Sequence, residues 1–138
     1  MAEKIANVMT ADPRTVQTTD AIQDAARQMR DGDVGALVVL DGNNVTAIVT
    51  DRDIVVRGVA VGREGSAEVQ EVCTTGVQTV DPAQDVEDAL RIMRDSDVRR
   101  LPVVENGRPV GIVSLGDLAV DRDPESLLAD ISAASPNN

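Results

Sequence analysis

The chain has 138 residues, 42% of them hydrophobic, a formal net charge of −11, one cysteine, no histidine and no Phe, Tyr or Trp. That length holds one compact domain or two small, closely packed ones, with a core of Val, Ile, Leu, Met and Ala. The acidity argues against a nucleic-acid backbone or an anionic membrane face as partner. The missing aromatic rings remove the platform on which single-stranded bases stack, and Cys73 without any histidine supplies no usual zinc ligand set and no intrachain disulfide.

In chain order, residues 8–16 read as a short turn followed by a strand. Residues 20–30 read as a helix, because Ile22, Ala25, Ala26 and Met29 fall at i, i+3, i+4 and i+7 and make one apolar face. Asp20 with Gln23 resembles a capping box at its start, and Asp31-Gly32-Asp33 stops it. Strands follow at 36–40 and 45–50 around the turn Asp41-Gly42-Asn43-Asn44, then a second helix over 51–59. The second half gives a strand near 78–80 and a helix over 84–94 with Val86, Ala89, Leu90 and Met93 on one face. Strands at 101–105 and 109–114 flank Asn106-Gly107, and a helix starts at Leu115. No apolar run approaches the ~18 residues of a membrane span. With no secretory signal legible, the expected compartment is the cytoplasm.

The halves are copies of each other. Shifted by 64 residues, Val8–Ile54 lies on Val72–Leu118 without a gap, and 17 of the 47 positions are identical. Met29-Arg30-Asp31 recurs as Met93-Arg94-Asp95, and Ile48-Val49-Thr50 with Asp53 as Ile112-Val113-Ser114 with Asp117. Each half is therefore expected to run β-α-β-β-α, an α/β (α+β) fold of two pseudo-symmetric repeats packed as one module. The expected boundaries are 1–62 for the first repeat, 63–67 for a linker, 68–131 for the second repeat and 132–138 for a frayed tail. About sixty residues bury too little surface to be stable alone, so the repeats are expected to pack together across a pseudo-two-fold axis.

Where the third strand of each half meets its second helix stand Thr50-Asp51-Arg52-Asp53 and Ser114-Leu115-Gly116-Asp117. A hydroxyl followed three residues later by a carboxylate is the pattern of a plain helix cap. It is equally the pattern of an anion site, with hydroxyl and free N–H groups facing a phosphate and the carboxylate accepting from ribose hydroxyls. The residues alone leave both readings open. Asp51 with Asp53 could suggest a magnesium pair, but carboxylates at a helix start are favoured by the macrodipole. No metal is expected. Cys73 falls on the apolar position of Met9, so a packed thiol is expected there.

Val8-Met9-Thr10, Arg99-Arg100-Leu101-Pro102-Val103-Val104, Gly111-Ile112-Val113-Ser114 with Asp117, and Thr50-Asp51-Arg52-Asp53-Ile54 resemble the cystathionine-β-synthase (CBS) domain family. The stretch from Thr50 to Gly58 is similar to small stand-alone CBS pairs of the hypoxic-response type. The resemblance implies a Bateman module with nucleotide clefts between two copies. It implies an adenosine ligand (AMP, ADP, ATP or S-adenosylmethionine) as regulator, with no cofactor required. The preferred site it implies comprises Ser114, Asp117, Thr79, Val80, Arg100, Leu101, Pro102 and Gly111. A second, weaker one comprises Thr50, Asp53, Thr15, Val16, Ala36 and Leu37. Arg52, Arg57, Arg99 and Arg122 are the further phosphate candidates.

The preference for the second half rests on two differences. Ala47 stands where Gly111 stands, so an added methyl could narrow the first cleft, and Val38 stands where Pro102 stands. No effector domain is legible in the chain, so a nucleotide signal has to pass through an unidentified partner protein or through assembly of CBS pairs into a homodimer. The alternative is a dimeric interaction module with no nucleotide ligand. An enzyme is not expected, since there is no histidine, no G-x-S-x-G elbow and no Walker loop.

Overall fold

The computed structural model describes residues 3–122, with side chains as far as Ala119. The expected tail at 132–138 and the end of the second repeat beyond residue 122 lie outside the described residues. The elements are β1 (Thr10–Ala11), β2 (Thr15–Gln17), α1 (Ile22–Gly32), β3 (Ala36–Asp41), β4 (Asn44–Thr50), α2 (Asp51–Asp53), β5 (Thr74–Thr75), α3 (Val86–Ser96), β6 (Arg100–Glu105), β7 (Arg108–Ser114) and α4 (Leu115–Arg122). The fold is the mixed α/β one that the repeat implies, with a sheet ordered β2-β3-β4-β5 and another ordered β1-β7-β6.

The chain forms two compact units, each with its own core, and they do not coincide with the repeats. One unit is Arg14–Val77; the other joins residues 3–13 to residues 78–122. Each unit has thus taken in the leading segment of the other repeat. In the 14–77 unit, β5 pairs antiparallel with β4, Ala47 opposite Thr75 and Ile48 opposite Thr74. In the 78–122 unit, β1 pairs with β7 in the equivalent register, Ala11 opposite Gly111 and Thr10 opposite Ile112.

The same segments cap the helices. The Ile22 and Gln23 N–H groups donate to the carbonyls of Ala67 (2.8 Å) and Gly65 (3.0 Å), and Val86 N–H donates to the Glu3 carbonyl at 2.8 Å. The expected Asp20/Gln23 capping box is therefore not formed. Helix α1 begins two residues later than expected, and Asp20 Oδ2 accepts instead from Gln17 N–H at 2.8 Å. The physical reason is that the free N–H groups of a helix start need acceptors, and here a distant backbone supplies them. Helix α3 is likewise displaced, to Val86–Ser96 from an expected 84–94.

The apolar faces pack as their spacing requires, except that Ala26 is exposed and Leu90 only half-buried. Ile22, Ala25 and Met29 are buried with Leu37, Val39 and Val49 in one core. Val86, Ala89 and Met93 are buried with Leu101, Val103 and Val113 in the other. Full burial of such a side chain contributes roughly 1.5–3 kcal/mol. Both helices end on an aspartate in left-handed conformation, Asp33 (φ 52°) and Asp97 (φ 53°). Aspartate tolerates that region better than most residues. The β3–β4 turn places Gly42 at φ 64° in its first central position, and the β6–β7 turn places Asn106 and Gly107 at φ 53° and 77°. Both are two-residue hairpin turns that need positive φ at those places.

Two expected elements differ. The strand at 78–80 reduces to a single parallel bridge, Val80 with Val103, whereas its counterpart β2 is a full strand. Proline is the reason. Val38 N–H donates to the Arg14 carbonyl at 3.0 Å, and Pro102, at the matching position, has no N–H to give. The helix expected over 51–59 runs as α2, then a π-helical turn Ile54–Gly58, then a 3₁₀ turn Val59–Val61. This stretch is rich in β-branched residues, which are poor helix formers. Among the described residues, no helix is long and apolar enough to cross a membrane.

Candidate functional site

In both units a strand runs straight into a helix, and the joint is the hydroxyl–carboxylate motif. Ser114 ends β7, and its N–H donates to Asp117 Oδ2 at 2.9 Å while Asp117 N–H donates to Ser114 Oγ at 3.1 Å. Thr50 ends β4, and the same two bonds to and from Asp53 measure 2.9 and 3.1 Å. The reciprocal cap is formed in both places. Among the described residues, Oδ1 of neither aspartate accepts a hydrogen bond, so each carboxylate keeps one oxygen for another donor.

The neighbours of the two motifs differ. Arg100 is the strand partner of Ser114, and the Arg99 carbonyl accepts from Leu115 N–H at 2.8 Å. In the other unit Ala36 is the partner of Thr50, and the Gly35 carbonyl accepts from Asp51 N–H at 3.0 Å. Six other basic side chains are ion-paired, among them Lys4 with Asp85 and Arg63 with Glu71. Arg99 and Arg100 have no acidic partner among the described residues.

The remaining expected residues fall as follows. Thr79 is exposed and Val80 is buried at the bridge to Val103; Thr15 is half-buried and Val16 buried on β2. Leu37, Leu101 and Pro102 are fully buried, so that any contact they offer a ligand comes from their backbone. Arg52 is exposed, and its N–H donates to Asp51 Oδ1 at 2.8 Å. Arg57 is occupied elsewhere. Its Nη1 donates to Thr74 Oγ1 at 2.9 Å and to the Val72 carbonyl at 3.5 Å, holding the segment that carries β5. Arg122 closes α4, and its side chain lies outside the described residues.

Gly111 proves to face protein. A Cβ there would lie 2.6 Å from Met9 Sδ and 2.9 Å from the Thr10 carbonyl oxygen. Ala47, the matching residue, is fully buried, and Cys73 replaces Met9 beside it in the same core. The Ala47 methyl is thus accommodated in the core of its own unit, which also holds the shorter Cys73 side chain. Burial raises the Cys73 thiol pKa above its ordinary value. Met9 and Thr10 were missed as neighbours of the motif strand; the common offset of 64 residues that sets Met9 on Cys73 and Ala47 on Gly111 was the available signal.

Two open grooves of the 14–77 unit, about 540 and 490 Å³, are lined by other residues. The first lies at the hairpin end with Thr18, Asp41, Thr46 and Thr75, the second beside Ile22, Ile54 and Val59. Among the described residues no group of three or more His, Cys, Asp or Glu could hold a metal ion.

The profile of the CBS domain matches residues 5–59 and 69–120. The CBS domain-containing protein YhcV of Bacillus subtilis is 40% identical over 118 residues, covering 86% of this chain and 84% of that protein. The crystal structure of hypoxic response protein I with two coordinated zinc ions, a protein of Mycobacterium tuberculosis, superposes with a TM-score of 0.74. It is 33% identical and covers 85% of this chain and 97% of that one. The CBS domain pair of MJ0100, in complex with 5′-methylthioadenosine and S-adenosylmethionine, has the same fold with a TM-score of 0.78. It is 21% identical and covers 91% of this chain and all of that one.

Proposed function

The chain belongs to the CBS-domain family, as a tandem pair of CBS domains, and from that premise we propose that it binds an adenosine nucleotide at Ser114 and Asp117 and passes the signal to a partner protein. A CBS pair is a regulatory module, and stand-alone CBS proteins are generally non-catalytic. The observation that carries the nucleotide reading is the pair Arg99 and Arg100. In a chain of net charge −11, Arg99 and Arg100 have no acidic partner among the described residues, and their backbone borders a motif whose Asp117 Oδ1 accepts no hydrogen bond among those residues. Arginine suits phosphate because its planar donors meet two oxygens at once. In this reading Asp117 Oδ1 accepts from a ribose hydroxyl, Arg99 and Arg100 hold phosphate, and backbone at Thr79, Val80 and Leu101 frames the base. The adenosine compounds bound by the pair of similar fold support the choice of ligand class. Thr50 and Asp53, with Thr15, Val16, Ala36 and Leu37, form the second site.

The test uses the chain's own optics. Without Trp, Tyr or Phe the protein is nearly transparent where adenine absorbs. Denatured, filtered protein that releases an adenine spectrum, identified by mass, supports the reading. A blank filtrate, followed by silent calorimetry with AMP, ADP, ATP and S-adenosylmethionine, rejects it.

A second reading is a module that acts by self-association without a nucleotide. Val55, Val56, Val59 and Val61 are all exposed along the helical run after Thr50, Val59 by 67%. Exposed aliphatic side chains so closely spaced are characteristic of a contact surface. A sedimentation-determined dimer that Val59→Asp dissociates supports it, and a monomer at all concentrations rejects it.

A further inference from the structure

The two motif ends are built alike in backbone and unlike in charge. At the 78–122 motif the neighbours of Ser114 and Leu115 are Arg100 and Arg99, and Asp117 is the only carboxylate in the motif. At the 14–77 motif both arginines are absent: Ala36 and Gly35 stand in their places. Asp51 replaces Leu115 and adds a second carboxylate beside Asp53. Asp51 is folded over the missing side chain, so that a Cβ at Gly35 would lie 3.3 Å from its Oδ2. Arg52 is the one cation within Thr50-Asp51-Arg52-Asp53; it is exposed, and its backbone N–H donates to Asp51 Oδ1. Arg14, at the same end of the sheet, lies across Gly32, where its guanidinium occupies the space of a side chain. The count of motif charges is therefore two positive and one negative in one unit, one positive and two negative in the other.

A nucleoside phosphate carries about −1.5 to −2 charges at neutral pH, and an adenosine without phosphate carries none. Charges within a few ångströms of a binding site set selection between such ligands, because the field of Arg99 and Arg100 favours the phosphate form while that of Asp51 and Asp53 opposes it. We propose that phosphate-bearing ligands are confined to the 78–122 motif, with Arg99 and Arg100 admitting them there and Asp51, over Gly35, excluding them from the 14–77 motif. This rests on the nucleotide reading above and names the ligand class of each site. The 14–77 motif takes an adenosine compound that is neutral or cationic.

Calorimetry on the whole chain with AMP and with adenosine tests the proposal. The unaltered protein binds one AMP. The Arg99→Ala/Arg100→Ala variant loses AMP affinity by tenfold or more while its adenosine affinity stays within about twofold. That split is a readout that a merely structural role of the arginines would not produce. The Gly35→Arg/Ala36→Arg/Asp51→Leu variant gives the 14–77 motif the neighbours of the other, with Leu115 as the precedent for the leucine, and binds a second AMP. Two equal AMP sites in the unaltered chain, an equal loss of adenosine and AMP in the arginine variant, or a folded triple variant that still binds one AMP each overturn the proposal and leave the nucleotide reading standing. Absence of binding by both ligands overturns the nucleotide reading itself.

Discussion

Met9 Sδ fills the place of the side chain that Gly111 lacks, at 2.6 Å from where its Cβ would stand. The matching pair in the other unit is Cys73 and Ala47, both buried in one core. Each unit thus combines a long sulfur side chain with glycine, or a short one with alanine. Gly111→Ala is expected to overpack the 78–122 unit by ~1–3 kcal/mol, read as a lower urea midpoint. Adding Met9→Cys to that variant recreates the other pair and recovers at least half of the loss. Equal additive losses would show that the two residues are not coupled.

The two caps separate folding from binding. Asp117→Ala and Asp53→Ala each remove a helix-start acceptor of the same geometry, 2.9 Å from its strand-end N–H. Each is expected to cost about 1 kcal/mol of stability. Only Asp117→Ala is expected to weaken AMP, by ~1.5–3 kcal/mol for a lost charge-assisted hydrogen bond, roughly ten- to hundredfold. Unchanged AMP affinity in Asp117→Ala excludes the ribose role. An equal AMP loss in Asp53→Ala reverses the order of the sites.

Val38 and Pro102 make a matched experiment in strand pairing. Val38 N–H reaches the Arg14 carbonyl at 3.0 Å, so Val38→Pro is expected to cost at least ~1–3 kcal/mol through the orphaned acceptor. Pro102→Val supplies the missing donor in the other unit. Hydrogen exchange is the measurement, with the new amide at position 102 expected to be protected. Rapid exchange there would mean that the bridge at Val80 is limited by something other than proline.

Arg57 holds the segment around Cys73, through Thr74 Oγ1 at 2.9 Å. Arg57→Ala is expected to loosen it and to speed labelling of Cys73 by a thiol reagent several-fold. Slow labelling unchanged by the substitution would place the restraint elsewhere.

The same thiol predicts a pH dependence. Burial raises the Cys73 pKa in the folded state, so the folded chain disfavours the thiolate. The stability contribution is complete below the unfolded thiol pKa of about 8.5 and declines as pH rises above it. Cys73→Ala is expected to flatten that alkaline decline in thermal unfolding, and an unchanged slope would rule the thiol out as its cause.

The features legible in the sequence were those that depend on residues close together in it. The apolar faces through Met29 and Met93, the turns at Gly42 and at Asn106-Gly107 and both hydroxyl–carboxylate caps arise from i to i+4 relations or from backbone preferences of single residues, and the repeat is legible because those local patterns recur 64 residues on. Of the implied sites, the pairing of each motif with its neighbouring strand was readable from the repeat. The engagement of Arg57 with Thr74 was not, because a surface arginine carries no sign of the partner its long side chain reaches.

By itself, then, the sequence determined the family, the order of elements and the chemistry at each strand-to-helix joint, since all of these are local or copied between halves. The tertiary structure alone decided that residues 3–13 and the segment carrying β5 complete each other's units, that distant carbonyls cap α1 and α3, and that Gly111 faces Met9. Those outcomes depend on which unsatisfied backbone groups and which spaces in a core meet after the chain has folded back, and distances between remote residues are set by packing.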